Sequence, residues 1–94
     1  MKSGFVYILS NKRRTVLYIG VTAHLKQRIK AHRYKHGSVF TRKYNLCELM
    51  YYESFFSIKD AITREKQLKK WNRCWKWELI DTINPERRDL FVDL

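Results

Sequence analysis

Two tyrosines, an arginine–histidine pair and one displaced glutamate are the residues of this chain whose types and spacing could do chemistry. Tyr7 and Tyr18 each lie inside a short apolar run, Phe5-Val6-Tyr7-Ile8-Leu9 and Thr15-Val16-Leu17-Tyr18-Ile19-Gly20. Arg28 and His32 are spaced i, i+4, which on a helix puts them one turn apart on a single face. Arginine is a permanently charged fork for phosphate, and histidine is a proton carrier or phosphate ligand near neutral pH. Phenols, a guanidinium and an imidazole on one spot would be suited to phosphate chemistry. Each also has a plainer reading. Aromatics pair across strands for packing, and an i, i+4 basic pair is often only a solvated helix face.

Glu65 is the sharper signal. On a helix opened by Ile58 at 0°, Ala61 falls at about 300°, Ile62 at about 40°, Leu68 at about 280° and Glu65 at about 340°. The carboxylate therefore sits within an apolar stripe, while Lys59, Lys66, Lys70 and Arg73 mostly take other faces. A carboxylate there is costly unless it is paired or binds a metal. One reading is a buried salt bridge to one of the many cations. The other is a Mg²⁺ ligand, since Mg²⁺ is often held by one or two carboxylates plus substrate phosphate and water.

The elements that must position these groups follow from pattern. The two apolar runs read as strands joined by the polar turn Asn11-Lys12-Arg13-Arg14. If Ser10 pairs with Thr15, Tyr7 lies directly opposite Tyr18 on one face of the sheet. Thr22 is an N-cap candidate for a helix running to about Gly37, a C′ residue, with Leu25 and Ile29 as its apolar pair. Lys26, Lys30, Arg33 and Lys35 crowd the rest of that helix, and no acid occurs between Thr22 and Tyr44. A loop Ser38-Val39-Phe40-Thr41-Arg42-Lys43 mixes hydroxyls, a phenyl ring and two cations. Leu46–Glu53 reads as a third strand. Ser57, with Asp60 three residues on, opens a second helix from Ile58 to about Arg73. A third covers roughly Trp75–Ile83 and is stopped by Asn84-Pro85. Trp71 and Trp75 read as core, and Trp77 as the exposed indole. Leu90, Phe91 and Leu94 of the tail could pack back on the body. The order β-β-α-β-α-α predicts an α+β fold, a three-stranded antiparallel sheet flanked by helices.

Composition sets the class of partner. A chain of 94 residues, 45% of them hydrophobic, predicts one folded domain over 1–94. Its formal charge of +11, from 20 Lys and Arg against 9 Asp and Glu, exceeds what solubility needs and points to a polyanion. Nucleic acid comes first and an anionic membrane surface second. The run Lys69-Lys70-Trp71-Asn72-Arg73-Cys74-Trp75-Lys76-Trp77 interleaves cations with indoles, a composition suited to phosphate backbones and unstacked bases. No run approaches the ~20 apolar residues of a membrane span, and the first strand is too short for a secretory signal. Cys47 and Cys74 lack CxxC spacing and make no zinc site with His24, His32 and His36. Free thiols in a reducing cytoplasm fit that usage.

Together these residues resemble the GIY-YIG nuclease superfamily, and within it the small bacterial UPF0213 group. The paired signature stands here as Phe5-Val6-Tyr7 and Tyr18-Ile19-Gly20. Thr22, Leu25, Arg28 and His32 match the family's first helix. Ala61-Ile62-Thr63-Arg64-Glu65-Lys66-Gln67-Leu68-Lys69-Lys70-Trp71 matches its metal-binding helix, and Asn84-Pro85 with Asp89-Leu90 matches the tail of the small group. The chain departs from the pattern at Phe5, where the superfamily name has glycine. It departs again at Val21, where some repair-type members carry a lysine. A late asparagine used by some members could be Asn72 or Asn84.

The resemblance implies a metal-dependent endonuclease that hydrolyses DNA phosphodiester bonds in repair or recombination, with one Mg²⁺ or Mn²⁺. It implies Tyr18 as the general base or the phenol that orients the attacking water, with Tyr7 supporting it or contacting the phosphate. Arg28 would stabilise phosphoryl charge, His32 would assist in proton transfer, and Glu65 would hold the metal. Gly20 would let the backbone approach the site, and Lys26, Lys30, Arg33, Arg42, Lys43, Lys69, Lys70 and Arg73 would contact nucleic acid. Partners on this reading are branched or single-stranded DNA, with a homodimer or a partner protein for targeting, in the cytoplasm and away from membranes. The rival is a non-catalytic nucleic-acid-binding module on the same fold.

Overall fold

The computed structural model describes residues 2–34 and 39–94. Strand β1 (Gly4–Ser10) is central in a three-stranded sheet, flanked antiparallel by β2 (Leu17–Thr22) and β3 (Glu48–Phe55) in the order β2-β1-β3. The helices are α1 (Leu25–Arg33), α2 (Val39–Lys43), α3 (Ile58–Lys69) and α4 (Arg73–Asp81), followed by a 3₁₀ turn at Leu90–Asp93. The α+β class and the order β-β-α-β-α-α are as expected. Among the described residues the additions are α2, where a loop was anticipated, and the 3₁₀ turn in the tail.

A central strand that is apolar at successive positions needs both faces covered. Val6 and Ile8 point into a cluster with Ile19, Met50, Tyr51, Ala61, Leu68, Trp77 and Ile80. Tyr7 and Leu9 point the other way, to Leu25, Ile29, Leu46 and Leu49. Helices α3 and α4 thus cover one face, and α1 covers the other. A bulge in the β1–β3 pairing sets Ile8 opposite Tyr51 and Leu9 opposite Leu49, leaving Met50 as the extra residue. Met50 and Tyr51, though adjacent, therefore join the same cluster.

The hairpin register differs from expectation by two residues. Ser10 pairs with Leu17, Tyr7 with Gly20, and Leu9 with Tyr18. The cause is Asn11, whose side-chain oxygen accepts from the amides of Thr15 (2.9 Å) and Val16 (3.2 Å). Those donors are spent inside the loop and cannot join the ladder. Arg14, at φ 60°, completes the turn in the left-handed region. A two-residue shift preserves side-chain parity, so Tyr7 and Tyr18 still share a face, as diagonal rather than direct neighbours.

Other boundaries move for local reasons. Thr22 ends β2, and its hydroxyl accepts from the His24 amide at 3.0 Å, so α1 begins at Leu25. The helix is described to Arg33, and the expected terminator Gly37 lies outside the described residues. Leu46 is not yet in β3, because its amide donates to the Thr41 carbonyl at 3.0 Å. Ser57 caps α3 as its position suggests, accepting from the Lys59 amide at 3.2 Å.

Helix α3 stops at Lys69 rather than near Arg73. Asn72 caps a new helix, accepting from the Trp75 amide at 2.8 Å. That break resets the helical phase and inverts the tryptophans. Trp77 is 9% exposed beside Ile80, whereas Trp75 is 52% exposed and stands edge-on to Trp71. Ile83 is exposed as well.

The tail packs back as its apolar residues suggest. Leu90, Phe91 and Leu94 lie against the α1-side cluster. Asp89 accepts from the Leu49 amide at 3.0 Å, and the buried Asn84 amide donates to the carbonyls of Met50 (3.1 Å) and Arg88 (2.8 Å). Asn72 and Asn84 are thus both engaged in the scaffold.

Candidate active site

Tyr7 is the floor of the site. It belongs to the central strand, is almost fully buried and lies directly across from Gly20. A methyl group at Gly20 would overlap the Tyr7 hydroxyl. The missing side chain makes room for the Tyr7 ring, so the backbone at Gly20 lies directly against the floor of the site. Tyr18, two residues before Gly20, is half-buried, with its ring centroid 6.4 Å from that of Tyr7.

Helix α1 anchors on this face through Leu25 and Ile29 and presents Arg28 and His32 from the adjoining positions. The Arg28 Nε donates to the Tyr7 hydroxyl at 3.4 Å. The same hydroxyl lies 3.0 Å from His32 Nε2, and His32 Nδ1 lies 3.1 Å from Thr41 Oγ1 on α2. The Tyr18 ring meets the His32 ring edge-on at 5.8 Å. Tyrosine, tyrosine, arginine and histidine converge.

Burial sets the electrostatics. It pushes the Tyr7 phenol above its ordinary value. The Arg28 hydrogen bond and charge oppose that shift, while Tyr18 and Glu65 reinforce it. A cation beside a phenol favours its ionised form, but here desolvation outweighs the cation, so Tyr7 stays protonated at neutral pH. His32 is lowered to about 4, first by burial and then by the charge of Arg28. The Arg28 guanidinium is held charged chiefly by its hydrogen bond to Tyr7, with further help from Tyr18. Arg28 thus serves both phenols.

Glu65 approaches from α3. Its side chain is 16% exposed, and its charge reaches Tyr7. The stripe around it is narrower than projected, because Ala61 and Leu68 are buried but Ile62 is exposed. Glu65 also has a partner, Lys69 Nζ at 3.5 Å from Oε2, although that lysine is 53% exposed. Among the described residues no three His, Cys, Asp or Glu side chains converge. The donor set for an ion is then one hard carboxylate, which fits a divalent cation that completes its shell with water and phosphate. Cys47 and Cys74 are free thiols.

The expected nucleic-acid contacts divide. Lys26, Lys30, Arg42, Lys43 and Lys70 are exposed. Arg33 is instead committed to the Asp89 carboxylate and stacks 4.3 Å over the Phe91 ring. Arg73 donates to the Arg14 carbonyl at 2.8 Å. Every acid of the chain lies at Glu48 or beyond, where acids and cations balance, so the whole +11 belongs to residues 1–47. That half supplies both tyrosines, Arg28 and His32.

The site residue that pattern missed is Thr41. Hidden in a presumed loop, it is buried and touches His32. A lone hydroxyl beside Arg42 and Lys43 carries no periodic signal.

The GIY-YIG catalytic-domain model matches residues 3–78. The chain belongs to the GIY-YIG family. It is 35% identical over 88 residues to a UPF0213 protein of Syntrophus aciditrophicus, spanning 93% of this chain and 99% of that one. It is 40% identical over 78 residues to a UPF0213 protein of Clostridium perfringens, 83% of each chain. The solution NMR structure of a UPF0213 protein from Bacillus halodurans superposes with a TM-score of 0.56 at 29% identity, covering 87% of this chain and 86% of the other. GIY-YIG membership supports a nuclease-type function, and GIY-YIG nucleases generally depend on a divalent metal. Among the described residues no helix is long and apolar enough to cross a membrane.

Proposed function

We propose that this GIY-YIG chain is a divalent-metal-dependent endonuclease that hydrolyses DNA phosphodiester bonds. The observation that carries the reading is the meeting of Arg28, Tyr7, His32 and Tyr18 on one sheet face, with the Glu65 charge within reach. Tyr18, the phenol that solvent reaches, orients the attacking water or takes its proton. Tyr7 remains protonated and receives the Arg28 Nε–H, which leaves the terminal nitrogens of Arg28 for Tyr18 and the phosphoryl oxygens. His32, held neutral, fixes the Tyr7 hydroxyl. Glu65 would hold Mg²⁺ or Mn²⁺, and the ion when bound supplies polarisation of the phosphoryl group and charge neutralisation at the leaving oxygen. The exposed cations Lys26, Lys30, Arg42 and Lys43 lie in the acid-free half and draw the DNA backbone to this face. Targeting comes from that surface, a partner protein or a second copy, and the setting is cytoplasmic repair or recombination.

The pairing of Glu65 with Lys69 favours a second reading, a nucleic-acid-binding module in which the carboxylate is structural. Supercoiled plasmid, branched DNA and single strands, each with Mg²⁺, Mn²⁺ or chelator, separate the two. The nuclease reading expects metal-dependent cutting that disappears in Glu65→Ala and Tyr18→Phe while binding persists. Binding by the wild type without cutting on every substrate rejects it in favour of the module.

A further inference from the structure

We infer that Thr41 is a positioning residue, whose hydroxyl accepts the Nδ1 proton of neutral His32 and so completes a directed run of hydrogen bonds from Arg28 through Tyr7 and His32 to α2. The derivation begins at Arg28, because a guanidinium can only donate. Its Nε–H points at the Tyr7 oxygen, so Tyr7 accepts there. The Tyr7 proton must then leave by another route. Among the described residues, the one acceptor within bonding distance of that buried hydroxyl is His32 Nε2, at 3.0 Å. Nε2 therefore carries no proton, and in the neutral ring the proton is on Nδ1. Nδ1–H points at Thr41 Oγ1, 3.1 Å away, which accepts it. The burial that holds His32 neutral supports the same assignment.

The opposite tautomer is disfavoured for a specific reason. It would aim two donors, Arg28 Nε–H and His32 Nε2–H, at one phenolic oxygen and strip the phenol proton of its acceptor. Both the phenol and the imidazole are buried, so neither loss is repaired by solvent. Thr41 is well placed for its role. Its carbonyl takes the Leu46 amide at 3.0 Å, which ties the end of α2 to the chain entering β3. The hydroxyl is therefore delivered by the fold and not by a mobile surface turn.

The consequence for catalysis rests on the nuclease reading, while the tautomer does not. Ring ¹⁵N–¹H correlation spectra of the labelled protein at pH 7 read the tautomer directly. The wild type is expected to show His32 protonated at Nδ1 and bare at Nε2. Thr41→Val, of nearly the same shape, leaves Nδ1–H without that acceptor and is expected to populate the Nε2–H form and to lower kcat with KM little changed, by about 10- to 100-fold if the loss matches that seen when a partner orienting a metal-bound histidine is removed. Thr41→Ser should restore both the tautomer and the rate. A wild-type ring protonated at Nε2, or a Thr41→Val ring still wholly Nδ1–H, overturns the inference. The wild-type spectrum decides it even if Thr41→Val does not fold. If the wild type cuts no nucleic acid, the nuclease reading fails alone, and the spectra still decide the role of Thr41.

Discussion

Tyr7 and His32 share a buried contact of 3.0 Å between the central strand and α1, so the floor of the candidate site is also part of the core. Chemistry and stability are therefore coupled here, and several measurable consequences arise from that coupling.

The first concerns pH. His32 titrates near 4 in the folded chain against an ordinary 6.5, because burial and Arg28 disfavour its charged form. Between those values the unfolded chain binds the extra proton, so stability rises with pH across that window and is lost as pH falls from 6.5 towards 4. The full loss is on the order of 3 kcal/mol. Urea midpoints measured from pH 7 to pH 4 should fall over this interval, and His32→Gln should flatten the curve. An equally steep wild-type and variant profile would assign the pH dependence elsewhere.

Gly20 should tolerate no side chain. Gly20→Ala forces a methyl into the Tyr7 hydroxyl and should destabilise by about 1–3 kcal/mol, the usual cost of overpacking. Tyr7→Phe removes that oxygen and leaves His32 Nε2 unsatisfied, for about 1–3 kcal/mol. A methyl at Gly20 would also overlap the ring carbon that carries the hydroxyl, which phenylalanine keeps, so the Gly20→Ala penalty should persist in the Tyr7→Phe background. A double-mutant cycle from thermal melts reads this, and a penalty that vanished with the oxygen would contradict it.

The Lys69–Glu65 pair should matter little to folding and measurably to metal. An i, i+4 pair with a half-exposed lysine is worth about 0.5 kcal/mol or less. Lys69→Gln should barely move the melting temperature, yet tighten Mn²⁺ binding by about twofold as the competing cation is removed. Unchanged Mn²⁺ affinity would mean that Glu65 does not hold the ion.

The two indoles of α4 should behave oppositely. Trp77→Ala removes a core side chain and should cost about 3–5 kcal/mol. Trp75→Ala affects an exposed ring and should cost under about 1 kcal/mol. Equal penalties would contradict the helix break at Asn72.

The sequence by itself determined which residues share a face, because that depends only on local period. A two-residue repeat puts Tyr7 and Tyr18 on one side of any hairpin whose register differs by an even number, so the pair survived an incorrect register. A four-residue step aligned Arg28 with His32 in the same way. Tertiary structure decided everything that depended on competition between partners. Asn11 took the amides of Thr15 and Val16 and so set the true register. Asn72 split the presumed long helix and turned Trp77 inward. Burial outweighed Arg28 at Tyr7, and α2 brought the Thr41 hydroxyl to His32. Period is a property of neighbours along the chain, whereas desolvation and hydrogen-bond choice depend on what the fold brings within a few ångströms.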